Sequence, residues 1–155
     1  MKMQRRGQYL IIAALLVLVG GFITYRAMLT VPSEELSPEA RVLAILEKGG
    51  CASCHSADPK VPFYAHVPVA GDMVMKDIEE GYRAYDIEGA MAKLREGAML
   101  NPVDVAKIEK VAMDKRMPMA KYYLVHWGSQ MTDKKASVIA AWARDYRMAY
   151  YHDGL

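Results

Sequence analysis

Only two cysteines occur in the 155 residues, and both fall in one pentapeptide, Cys51-Ala52-Ser53-Cys54-His55. Three chemistries use a pair of thiols at this spacing: a redox disulfide, half of a zinc site, and covalent attachment of haem. A thioredoxin-type pair closes a strand in a βαβ pattern, whereas the residues flanking this motif read as helix. Structural zinc takes four nitrogen or sulfur ligands, and the sequence offers no second Cys pair or His-x-x-x-His cluster to complete such a set. Haem attachment accounts for all three residues at once, because each thiol bonds a vinyl group and the adjoining histidine lies under the iron as its proximal ligand. Cys51, Cys54 and His55 are therefore the candidate binding residues for one covalently attached haem c, with His55 as its first axial ligand.

The second constraint is the N-terminus. Leu10 to Tyr25 reads LIIAALLVLVGGFITY, sixteen residues without a charge, extending to Leu29 if Arg26 snorkels to the interface. About twenty residues at helical rise match the thickness of a bilayer core. Lys2, Arg5 and Arg6 precede the run, so the positive-inside rule places them in the cytoplasm and the rest of the chain across the inner membrane, facing the periplasm. Attachment of c-type haem in bacteria takes place on that side. A cleaved signal peptide is the competing reading, but no small-x-small site closes the run. The expected organisation is an anchor over 1–29, a polar linker over 30–37 and a mono-haem domain over 38–155. With Lys2, Arg5, Arg6 and Arg26 assigned to the anchor region, the remainder holds 16 basic and 18 acidic residues. A nucleic-acid surface needs a basic stripe on the folded part, and this balance argues against one.

Helical signals dominate the folded part. Ser37-Pro38 caps a helix carrying Val42, Leu43, Ile45 and Leu46 on one face, and Gly49-Gly50 ends it. Three prolines between Asp58 and Gly71 predict a wrapping loop. Helical stretches follow over 73–85 and 88–96, then a better-marked one from the Asn101 cap to about Asp114. A last one runs from Thr132-Asp133 to about Tyr150, with Trp142 and Tyr146 in its packing stripe. No alternating segment supports a sheet. The pattern is all-α and is similar to the class I cytochrome c fold, here preceded by a single transmembrane helix. That resemblance implies that the first and last helices of the domain cross beside the haem.

Whether such a haem carries electrons or performs catalysis depends on its sixth ligand. Twelve methionines are too many to decide this by number, since methionine commonly fills gaps in cores. Met117-Pro118 lies 62 residues after His55 in a loop, a separation and a dipeptide that resemble the Met ligand of class I cytochromes. Met117 is the candidate distal ligand; Met119, His126 and His66 are the alternatives. Tyr122, Tyr123 and Trp127 follow closely, either as donors to haem propionates or as plain apolar filling. Pro68, with Pro62 as competitor, is the candidate to offer a backbone carbonyl to the second ring nitrogen of His55. Lys60, Lys115, Arg116 and Lys121 form either a positive ring that steers acidic redox partners or ordinary solvated charge.

The stretch GGCASCHSADPKVPFYAHVPVAGDMVMKDIEEGYRAYDI, followed by PVDVAKIEKV and RMPMAKYYLVHWGS, resembles the N-terminal mono-haem domain of membrane-bound bacterial cytochrome c peroxidases over about residues 37–151. In that family the domain passes electrons to a following di-haem peroxidase region. The resemblance implies attachment at Cys51 and Cys54, proximal ligation by His55 and distal ligation by Met117. No second or third Cys-x-x-Cys-His occurs here, so the di-haem reaction is not expected of this chain. The expectation is a membrane-anchored carrier moving single electrons from a membrane donor to a periplasmic acceptor, such as a di-haem peroxidase. The alternatives are a fixed haem subunit of a respiratory or photosynthetic complex, its helix packed through Gly20-Gly21, and a haem peroxidase with an open sixth site.

Overall fold

A computed structural model describes residues 2–151, and among them all regular structure is helical. The chain forms two compact units, one ending at Thr30 and the other beginning at Val31.

The first unit is α1, Lys2–Met28. Its stretch Gly7–Met28 has a mean hydropathy of 2.1 over 22 residues, with none of its apolar window buried. At helical rise this stretch spans about 33 Å, long and apolar enough to cross a membrane. The Thr24 hydroxyl donates to the Gly20 carbonyl at 2.9 Å, so this polar side chain finds its partner within the helix, as a hydrocarbon environment requires.

In the second unit, α2 spans Pro38–Gly49, α3 Ala70–Ala84, α4 Glu88–Glu96, α5 Pro102–Asp114, α6 Ala120–Tyr123 and α7 Asp133–Tyr150. Side chains start three of them. The Ser37 hydroxyl accepts from Ala40 N–H at 3.1 Å, Asn101 Oδ1 from Asp104 N–H at 2.8 Å, and the Thr132 hydroxyl from Lys135 N–H at 3.3 Å. Each satisfies a first-turn donor that the helix cannot. Gly50, at φ 68°, ends α2 in the left-handed region, and its N–H returns to the Glu47 carbonyl.

α7 packs against α5 and α2, and α2 also packs against α4. Val42 and Ile45 of α2, Val105 of α5 and Ile139 of α7 are sealed in the shared core. Each such side chain stabilises the fold by about 1.5–3 kcal/mol relative to exposure. Trp142 and Tyr146 lie in the α7 stripe, with ring centroids 5.4 Å apart. Tyr146 has a further role, because its hydroxyl accepts from Leu100 N–H at 2.9 Å while the Tyr151 hydroxyl donates to the Leu100 carbonyl at 2.7 Å. The corner between α4 and α5 is thereby fixed to the end of α7.

Three local features add to or depart from the sequence expectation. α3 begins at Ala70 rather than Met73, after Val69 turns the chain at φ 70°. The turn is tight enough that a Cβ on Gly71 would lie 2.3 Å from the Ala65 carbonyl oxygen. The proline-rich segment before it contains a 3-10 turn, Phe63–His66, and the short α6 follows the Met117 loop, where the sequence reading assigns no element.

Candidate haem site

The motif follows α2 without a break: Cys51–Ser53 form a 3-10 turn, and His55 N–H returns to the Cys51 carbonyl at 3.0 Å. This turn presents the two thiols and the imidazole from one short segment. Both cysteines are free thiols and partly buried. Burial pushes the Cys51 thiol up to about 12, and burial followed by the charge of Asp77 raises Cys54 as well. A disulfide-exchange pair depends on a thiol with a lowered pKa, so these surroundings do not favour a redox dithiol. Among the described residues no group of three or more His, Cys, Asp or Glu side chains is placed to hold a metal ion.

The chain around Tyr85 fixes His55. His55 Nδ1 lies 3.0 Å from the Tyr85 carbonyl oxygen, and Ile87 N–H donates to the His55 carbonyl at 2.8 Å. A carbonyl only accepts, so Nδ1 carries the hydrogen and the Nε2 lone pair is left available to a metal. The carbonyl is therefore neither that of Pro68 nor that of Pro62. Those two oxygens accept from Ala70 N–H and Ala65 N–H, both at 2.9 Å, within their own turns. α3 passes so near the motif that a Cβ on Gly81 would stand 2.5 Å from the Cys54 carbonyl oxygen. Nothing in the local sequence marks Tyr85, thirty residues from His55, as this partner; only the chain reversal after α3 brings it there.

A small cleft of about 50 Å³ opens beside Cys54, lined also by Ser53, Lys60, Pro62, Tyr64, Val74, Asp77, Ile78, Tyr122 and His126. Tyr64 Oη and His126 Nε2 share a hydrogen bond of 2.7 Å, and the His126 ring stacks on Tyr122 with centroids 4.1 Å apart. Tyr122 in turn lies against the residue that precedes the motif, where a Cβ on Gly50 would stand 2.0 Å from its hydroxyl oxygen. Burial lowers the His126 pKa, favouring its neutral form. His126 is thus engaged by two tyrosines, and His66 is exposed at the end of its turn. The Trp127 indole donates to the Leu124 carbonyl at 3.1 Å.

Met117 lies in the loop between α5 and α6, 38% exposed, before a cis bond to Pro118. Pro118 and Tyr123 line a larger cavity of about 370 Å³ with Lys115, Gln130, Met131, Thr132 and Asp133, and no motif residue borders it. The chemistry gathers at the smaller cleft. Met119 is partly buried, and its carbonyl starts α6 by accepting from Tyr122 N–H at 2.9 Å. Among Lys60, Lys115, Arg116 and Lys121, Lys115 pairs with Asp133 and Lys121 with Asp77, the latter at 2.6 Å. Opposite charge therefore offsets half of that ring.

Adjacent free thiols, an imidazole with one nitrogen satisfied and the other available, and an all-helical frame define a haem-binding fold. The chain belongs to the haem-binding domain family, whose match covers residues 22–145. It is similar to the cytochrome c peroxidase Ccp of Escherichia coli (strain K12), with 31% identity over 121 residues, which is 78% of this chain and 26% of that protein. The chain spans about a quarter of the length of this relative. No solved structure matches it.

Proposed function

We propose that the chain is a membrane-anchored electron carrier holding one covalently attached haem c, with residues 1–29 as anchor, 30–37 as linker and 38–155 as haem domain. The observation that carries this reading is the Tyr85 carbonyl at His55 Nδ1, which orients the imidazole as a ligand directly beside two free thiols. Cys51 and Cys54 would hold the haem covalently, each thiol exchanging its S–H bond for a C–S bond to one vinyl carbon while the hydrogen passes to the other vinyl carbon. His55 Nε2 and Met117 Sδ would hold the iron. Bound haem supplies an iron that cycles between Fe(III) and Fe(II), accepting and releasing one electron. A thioether ligand favours a higher potential than a second imidazole would. The chain's other residues hold this sphere in place: Tyr85 fixes the imidazole, and the Asp77–Lys121 pair braces α3 against the segment that follows Met117.

The anchor reading rests on the apolar stretch Gly7–Met28 and the basic residues Lys2, Arg5 and Arg6 before it, and on this reading the haem domain lies in the periplasm. Similarity to a cytochrome c peroxidase supports a redox protein as partner, with a di-haem peroxidase as the acceptor to test first. The test is production of the full chain alongside a c-type haem maturation system, followed by denaturing electrophoresis and haem staining. Haem should remain with the denatured wild-type chain and be lost from a Cys51→Ser, Cys54→Ser double variant. Haem extractable from the wild type by acidified solvent would rule out covalent attachment.

A further inference from the structure

Tyr85 joins His55 to a second anchoring point through its side chain. Its backbone is extended (φ −169°, ψ 121°), with N–H bonded to the Gly81 carbonyl at 3.1 Å and C=O facing His55 Nδ1. The phenol leads away from the motif, where its hydroxyl donates to Asp104 Oδ1 at 2.7 Å. Asp104 is itself held. Asn101 Nδ2 donates to its other oxygen at 2.7 Å, and its own N–H donates to Asn101 Oδ1. Lys107, one turn further along α5, places its ammonium 4.3 Å from the centre of the Tyr85 ring. Burial, followed by the bond to Asp104, raises the pKa of the phenol, so the hydroxyl keeps the proton it donates.

We infer that Tyr85 and Asp104 are positioning residues for His55, acting as a tether that sets the direction of the Tyr85 carbonyl and hence the strength of its bond to the imidazole. The inference rests on the reading that His55 ligates haem iron. A ring N–H held firmly by a carbonyl gives the imidazole more electron density to donate, which favours Fe(III). Packing alone explains an aromatic ring at this position but not the hydroxyl, which meets a carboxylate held in place by the start of α5. Loosening the tether should weaken the Nδ1–H bond, expose that hydrogen to exchange and raise the midpoint potential.

The experiment uses the haem-loaded full chain as wild type, Tyr85→Phe, Asp104→Ala and Tyr151→Phe. The last removes a comparable phenol-to-backbone bond at Leu100 and serves as control. The measurements are solvent exchange of the His55 Nδ1 hydrogen, by NMR, and the midpoint potential. Tyr85→Phe and Asp104→Ala should each accelerate that exchange by about tenfold and raise the potential, while Tyr151→Phe leaves both unchanged. Wild-type exchange and potential in Tyr85→Phe would overturn the inference. So would equal changes in Tyr151→Phe, which would mark general loosening. Failure of the underlying reading is seen separately: an absorption spectrum unchanged in His55→Gly would remove His55 as a ligand whatever the tether variants do.

Discussion

Lys135 is 1% exposed, yet its ammonium donates to the Gly128 carbonyl at 2.7 Å and to the Gln130 carbonyl at 2.9 Å. It fixes the segment that leads from the cleft into α7. Burial, with a smaller contribution from the nearby Lys48, lowers its pKa to about 8. The unfolded chain keeps this proton up to about 10.5, so between the two values the unfolded state holds more protons and folding gains stability as pH rises. The neutral amine retains hydrogens enough for both carbonyls. In urea titrations the stability of wild type relative to Lys135→Met should be flat below pH 8 and should increase between pH 8 and 10.5; a gap that stays constant or narrows would contradict this account. Gly81 is constrained by space rather than charge. Gly81→Ala pushes a methyl into the Cys54 carbonyl and should cost about 1–3 kcal/mol, read as a lower midpoint in the same titration.

At the scale of elements, the caps carry much of the specification. Asn101→Ala removes the acceptor for Asp104 N–H and the donor to its carboxylate, and should lower stability by about 1 kcal/mol in thermal unfolding. The same residues made these helices legible in the sequence: Ser37-Pro38, Asn101-Pro102 and Thr132-Asp133 act within one turn of themselves, so their chemistry is local. Gly49-Gly50 likewise marked the end of α2. The start of α3 was not legible because it depends on Val69, a β-branched residue in a conformation it seldom adopts. The partner of His55 was hidden for a related reason. Proline reads as a turn wherever it stands, and Pro62 and Pro68 do make turns, but those turns use their own carbonyls. The oxygen that meets His55 is instead delivered by the exit from α3.

For the whole molecule, the haem motif and the apolar N-terminal run were plain in the sequence, since each depends on contiguous residues rather than on a packed neighbour. The pairing of the lysines was not, because Asp77 and Asp133 reach Lys121 and Lys115 only once α3 and α7 are in place. Electron exchange with a soluble acidic partner should therefore depend weakly on salt, falling less than about threefold between low ionic strength and 0.15 M in stopped-flow measurements. A decline of a hundredfold would restore the positive ring as a steering surface. We propose that His55 and Met117 close the coordination sphere and so make the protein a carrier. The most direct test of this claim is the weak far-red sulfur-to-iron band of the oxidised, haem-loaded protein. The account predicts that the band is present in wild type and in Met119→Ala and is lost in Met117→Ala; a wild type without it, or a Met117→Ala variant that keeps it, would contradict the claim.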